Sequence, residues 1–457
     1  MASSHVRGVV KSSESMNSTT NAKMISPGNT SLSLRRPAKG GLPRRITTFH
    51  LLSVIVITAL LAPPLVPGSS IRIDTILILI CPFLVFIGYG RIRYDRRSRP
   101  VLIAFGFLAG GVGLALMLQL LLLSKPFYLE YLYNFQGFTR PLLFALLAVA
   151  TIMTRERAET MAKVLLAGII AHGALAIIEF NNLQPFTGIL NLLYRGDFNE
   201  RLGLRALGAF NRVHGLAYFS LYGLLFSLAV LLHPDKKAPL VMWARAATIL
   251  SLAALIVTFS RGAWIAAAAS SSFMLFHLSN LRLMLMLVLI VTAVFGVSAA
   301  IIPTLSNEII NTSSSIIAGG QYLVGVGDAS SANVGFIKGR LEWGWMYALE
   351  VWKENPLHGD LSYSFVKFIG DGGYTETLAN HGLIGLFGVL AMFLALWSKP
   401  RIYVCRHRSY DQWALVSQRS FVVAFLFALL ATGNLQERSI EILPIMLISL
   451  AMLGKRQ

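Results

Sequence analysis

The feature that most constrains this chain is a long series of apolar blocks, each close to the length of a bilayer-spanning helix, separated by polar gaps. An α-helix rises 1.5 Å per residue, so roughly 20 apolar residues cross a hydrocarbon core. In 457 residues, blocks of this kind centre near residues 57, 82, 112, 147, 170, 223, 250, 270, 293, 388, 426 and 448. A water-soluble core does not need so many separate runs, and a segment in lipid must satisfy its own backbone hydrogen bonds, which a helix does internally. The expected fold is therefore an all-α polytopic membrane protein with about 12 transmembrane helices. The composition agrees, with 55% hydrophobic and 13% charged residues.

The net charge of +19 raises a nucleic-acid reading, but the Lys and Arg residues occupy gaps between apolar blocks and form no continuous basic face. No nucleic acid is expected as a partner; the lipid bilayer is. The gaps alternate in charge. Residues 1–46, 91–99, 154–163, 235–237, 282, 399–408 and the last few residues fall on one side. With Arg245, Arg419 and Asp411 from the adjoining apolar blocks, that side holds 27 of the 40 Lys and Arg but 6 of the 21 acids, leaving 13 and 15 for the other. Short basic loops stay in the cytoplasm, so both termini are expected inside.

Four regions follow. Residues 1–46, rich in Ser and Asn with eight Lys and Arg and no apolar periodicity, read as a disordered cytoplasmic tail. Residues 47–302 hold spans 1–9, residues 303–377 form a large outer loop, and residues 378–457 hold spans 10–12 and a short cytoplasmic end. A loop of 75 residues far exceeds an ordinary connection. Its stretch RLEWGWMYALEVWKENP mixes Trp343, Trp345, Tyr347 and Trp352 with charge and reads as an amphipathic helix at the outer interface. Residues 180–213 are the other long outer connection.

Three clusters of chemically capable residues lie on the outer side. RLGLRALGAFNRVHG (201–215) holds Arg205 and Arg212; FSRGAW (259–264) holds Arg261, with Gly262 allowing close backbone approach; Arg340, PLHGD (356–360) and DGGYTETLANHGLIG (371–385) run through the large loop. Cations held outside, against the usual rule, point to an anionic ligand at that surface, and a lipid-linked diphosphate fits. Arginine suits it, because its planar fork donates two parallel hydrogen bonds and stays charged. The plainer alternative is that each arginine snorkels to headgroups or pairs with Asp197, Glu200 or Glu342. Asp371, Glu376 and His358 are the candidate proton acceptors for an attacking hydroxyl, with His381 behind them. Each has a structural alternative: a turn residue before Gly372-Gly373, a cap, a surface-loop residue, and a hydrogen bond at a helix start. No P-loop, paired metal-ligand spacing or nucleophile elbow occurs, so neither metal nor cofactor is expected.

Four stretches in the last 260 or so residues resemble the O-antigen ligase and O-antigen polymerase superfamily. RALGAFNRVHGLAYF is similar to its Arg-x-x-Gly-x-Phe segment, TFSRGAWIA to its Ser-Arg-Gly signature, GRLEWGWMYALEVWKENPLHG to its Arg-x-x-x-Trp helix leading to Pro-Leu-x-Gly, and YTETLANHGLIGLFG to the segment returning the loop to the membrane. The resemblance implies a glycosyltransferase at the periplasmic face of the bacterial inner membrane that acts on undecaprenyl-diphosphate-linked oligosaccharide. Arg205, Arg261 and Arg340 would contact the diphosphate, and a chain-length regulator and a flippase would be further partners. Where ligases carry His-Asn before the returning Tyr, this chain has Asp371-Gly372-Gly373-Tyr374, closer to polymerases. Asn380-His381 stands where a glutamate commonly precedes Gly-Leu-Ile-Gly. The expectation is a polymerase of repeat units for O-antigen, capsule or exopolysaccharide. The alternatives are a ligase onto lipid A core or, from another class, a transporter or flippase. The last is disfavoured because the charge gathers at the outer rim rather than at mid-membrane depth.

Overall fold

The computed structural model describes residues 48–63, 95–122, 129–194, 205–210, 213–235, 238–278, 345–361, 373–398, 408–431 and 438–454, with a few isolated positions between. The chain divides into two units, 1–45 and 46–457, and everything described lies in the second. Among the described residues all regular structure is helical. The elements are α1 (Thr48–Leu61), α2 (Arg99–Leu122), α3 (Leu129–Thr151), α4 (Arg155–Phe180), α5 (Phe186–Tyr194), α6 (Val213–Leu231), α7 (Ala238–Val257), α8 (Arg261–His277), α9 (Met346–Glu354), α10 (Gly373–Trp397), α11 (Arg408–Ala431) and α12 (Arg438–Leu453). Six of them, α2, α4, α6, α7, α10 and α11, are long and apolar enough to cross a membrane, and α1, α3 and α12 carry shorter apolar runs. The chain is an all-α polytopic membrane protein. The expected spans near 82 and 293, the tail, and most of residues 303–344 lie outside the described residues.

Residue size decides how closely the helices approach. α6 is buried along almost its whole length and forms the axis of the bundle. Its neighbours are α4, α7, α8, α11 and α12. The most extensive pair is α2 with α10. There a Cβ added to Gly111 would lie 2.8 Å from the Gly388 Cα, so the two backbones touch. Small residues permit that approach where lipid provides no hydrophobic drive between helices.

The connections sort to two ends. At one, Arg97 Nη1 donates to the Gly454 carbonyl (2.6 Å) and pairs with Asp411 (3.4 Å), while Arg155 pairs with Asp235 (3.1 Å). His233 also belongs here: its Nε2 lies 3.1 Å from the Leu453 carbonyl, and its Nδ1 lies 2.9 Å from the Asp235 carbonyl and 3.0 Å from the Asp235 amide nitrogen. Burial holds the His233 pKa below its ordinary value, and Asp235 is held low first by a hydrogen bond from Tyr410 and then by Arg155. The opposite end gathers Leu61, Gln119, Glu179, Tyr194, residues 205–210, the α7–α8 turn and residues 355–361.

Candidate active site

The turn between α7 and α8 is only Thr258–Ser260. Thr258 Oγ1 donates to the Leu255 carbonyl (2.8 Å), and Trp264 Nε1 donates to the same carbonyl (2.7 Å), which ties the first turn of α8 back onto α7. The left-handed residue of the turn is Phe259, at φ 50°, and Gly262, singled out in the sequence, lies within the first turn of α8. A side chain in that region costs about 1–2 kcal/mol, offset here by the buried Phe259 ring packing near Phe180 and Trp264. Arg261 follows, half-buried, as the first residue of α8.

Arg205 arrives at the same place on a strap fixed at three successive amides. The Ala206 N–H donates to the Val257 carbonyl at the end of α7 (3.0 Å). The Leu207 and Gly208 N–H groups both donate to Glu179 Oε2 at the end of α4 (2.9 and 2.6 Å). Phe210 then packs on His172 and Phe219. The Arg205 and Arg261 segments, 56 positions apart in sequence, are therefore joined directly through backbone. Arg212 and Arg340 lie outside the described residues, as does Asp371.

The PLHGD segment inserts into a break in α10. At Gly382, φ 59° and ψ −161° interrupt the helix. The freed backbone groups pair with the inserted loop: Asp360 N–H to Ala379 O (2.9 Å), Leu383 N–H to Pro356 O (2.9 Å) and Ile384 N–H to Leu357 O (3.1 Å). Gln119 of α2 completes the clasp. Its Nε2 donates to the His358 and Asn380 carbonyls (2.6 Å each) and its oxygen accepts from the Leu361 N–H (3.2 Å). All three hydrogen bonds of one fully buried amide are thereby spent on this crossing.

His358 is buried rather than a surface-loop residue. Its Nδ1 faces the Gly359 carbonyl (2.7 Å), and a carbonyl only accepts, so Nδ1 is the donor in this contact. His381 does not hydrogen-bond at a helix start: its Nδ1 is buried with no partner and its ring stands edge-on to Phe138 at 5.2 Å. Glu376 sits half-buried in the first turn of α10. In the described part of RLEWGWMYALEVWKENP the helix is α9, with Ala348 and Val351 packed on Ala379 of α10.

Sequence reasoning missed Glu179 and Gln119, whose signal was a lone polar residue near the end of an apolar run. It also missed the ion pair between Arg140 of α3 and Glu441 of α12 (2.8 Å), with side chains only 7% and 2% exposed. A broken helix and a buried pair are features that transporters also use. Here, however, the break is filled by the chain's own loop, whereas Arg140 lies at the middle of α3, so its pair with Glu441 is inside the bundle rather than at the rim.

Fold and site together define a polytopic helical membrane protein with the Arg205 and Arg261 segments joined at one end of the bundle. Residues 246–360, about a quarter of the chain, match the family described as O-antigen ligase, in line with the resemblance carried by the motifs. The match runs from α7 through the Arg261 turn to the inserted PLHGD loop, and the family's members are glycosyltransferase-like enzymes. No curated protein matches the chain.

Proposed function

We propose that the chain is a metal-independent glycosyltransferase that polymerises undecaprenyl-diphosphate-linked oligosaccharide repeat units, for O-antigen, capsule or exopolysaccharide, at the periplasmic face of the inner membrane with both termini cytoplasmic. The observation that carries this reading is the Ala206–Val257 hydrogen bond, which sets the Arg205 and Arg261 segments side by side at one end of the bundle. In the proposed reaction, the acceptor hydroxyl attacks the anomeric carbon of the donor's first sugar. The carbon–oxygen bond to the diphosphate breaks, and the bonding pair leaves on the lipid diphosphate. The hydroxyl proton passes to a base, for which Asp371, Glu376 and His358 are the candidates. Arg205 and Arg261, with Arg212 and Arg340, would neutralise the charge that develops on the leaving diphosphate.

The alternative is a ligase, favoured by the description of the family that residues 246–360 match. Purified protein supplied with lipid-linked repeat units separates the two. A ladder of lengthened lipid-linked products supports polymerisation, whereas product formed only when lipid A core is added supports ligation. Asp371→Asn slows chain growth if Asp371 orients or accepts from the hydroxyl. If instead His358→Ala stops growth while Asp371→Asn leaves it at the wild-type rate, the acceptor role passes to His358.

A further inference from the structure

The connection between α4 and α6 contains α5, FTGILNLLY, which carries no charged residue and has two unlike apolar faces. One face is buried: Leu190 and Tyr194 pack on Ala209 of the Arg205 strap, and the Tyr194 hydroxyl donates to the Leu61 carbonyl at the end of α1. The other face is bare. Phe186 is 55% exposed, Ile189 47% and Leu192 71%, and Leu193 lies beside them. Spacings of three and four residues put these side chains on one side of the helix.

What it adjoins identifies its occupant. Leu61, whose carbonyl holds Tyr194, is itself exposed, as are Val54 and Ile57 along the same apolar helix α1. In a membrane protein such an outward row on a terminal apolar helix faces acyl chains. The Tyr194–Leu61 hydrogen bond sets α5 against the end of α1, next to that exposed row. We infer that α5 is an interfacial helix whose Phe186, Ile189 and Leu192 face is immersed in the bilayer leaflet at the arginine end. Through Ala209 it sets the height of Arg205 relative to that leaflet. A helix lying in the interface with an apolar face toward the acyl chains carries that face roughly 5–10 Å into the headgroup–acyl boundary. A phosphate group of a lipid substrate sits at headgroup depth, so a strap anchored to such a helix meets it at a fixed level. The inference concerns placement in lipid and stands whether the enzyme is a polymerase or a ligase.

The test is a depth measurement on the full chain in phospholipid nanodiscs, with Cys81 and Cys405 changed to Ser and one nitroxide label at a time. Labels go on Phe186→Cys and Leu192→Cys. Val54→Cys serves as the lipid reference and Lys353→Cys, exposed on α9, as the polar reference. The expected result is that both α5 labels collide with dissolved oxygen several-fold more than with a water-soluble nickel chelate, as Val54→Cys does. Labels that favour the chelate, as at Lys353→Cys, would overturn the inference, because the face would then be in water. Labels that neither reagent reaches would overturn it as well, because protein would then cover the face. Two independent positions guard against a single variant that fails to fold, and a retained elution profile establishes that each is intact.

Discussion

Gly359 and Gly382 hold each other in place: each has a left-handed backbone, at φ 68° and 59°, and each occupies the space where the other's side chain would stand. A Cβ on Gly359 would lie 2.6 Å from the Gly382 nitrogen, and one on Gly382 would lie 2.5 Å from the Leu357 carbonyl and 2.6 Å from the Gly359 nitrogen. The Pro-Leu-x-Gly and Gly-Leu-Ile-Gly motifs, 23 positions apart, are therefore two halves of one backbone crossing.

Gly359→Ala and Gly382→Ala are each expected to reduce the folded protein in the membrane sharply. The left-handed conformation alone costs a non-glycine residue about 1–2 kcal/mol, and contact with rigid backbone adds to that. Thermal unfolding in detergent reads the loss, and Gly106→Ala, with open space around its Cβ, is the control. Wild-type melting of either crossing variant would refute the close approach.

Arg261→Lys and Arg205→Lys should each lower transfer ten- to a hundredfold with membrane abundance unchanged. Lysine keeps the charge and loses the planar fork, and a hydrogen bond to a charged group is worth about 1.5–3 kcal/mol. Rates come from purified variants with lipid-linked donor. Near-normal turnover in both would remove the arginines from the site.

Glu179 acts through the strap rather than on substrate. Glu179→Gln weakens two charge-assisted hydrogen bonds, to Leu207 and Gly208, and should lower transfer about tenfold. The discriminating measurement is the double-mutant cycle with Arg205→Ala. Because Glu179 matters by placing Arg205, the second change should add little to the first. Fully additive losses would show that Glu179 does something else.

His233 gives the basic end a dependence on pH. Its folded pKa lies below the ordinary 6.5, because burial disfavours the charged ring. The stability it contributes is therefore complete above pH 6.5 and is lost as the pH falls from there through the lowered folded value. Asp235, also shifted down, gives up its contribution only below its ordinary 3.8. Melting of wild type and His233→Gln should differ most at neutral pH and converge on acidification to pH 5. A gap that stays constant would mean that the ring does not titrate in this range.

Ten of the twelve apolar centres read from the sequence fall within described helices, because length and hydropathy are summed over many residues and survive local error. The break at Gly382 was not legible in the same way. LANHGLIGLFG reads as one helix, and it is interrupted because a loop from a distant part of the chain inserts there. Glu179 and Gln119 carry no periodic signal, and their meaning depends on which carbonyls and amides come to meet them. Arg205 and Arg261 were legible as cations on the unexpected side. Their adjacency rests on the Ala206–Val257 bond, which no spacing encodes.

The amide of Gln119 also bears on how the protein is made. Its carbonyl partners on His358 and Asn380 lie 239 and 261 positions further along the chain. A ribosome adding roughly 5–20 residues each second needs many seconds to reach them. During that interval α2 has been synthesised with a polar group whose final partners do not yet exist, so water or a helper must satisfy it. The pairing of α2 with α10, the most extensive among the described helices, is consequently among the last to form, and biogenesis of this protein is exposed to failure until its final quarter has emerged.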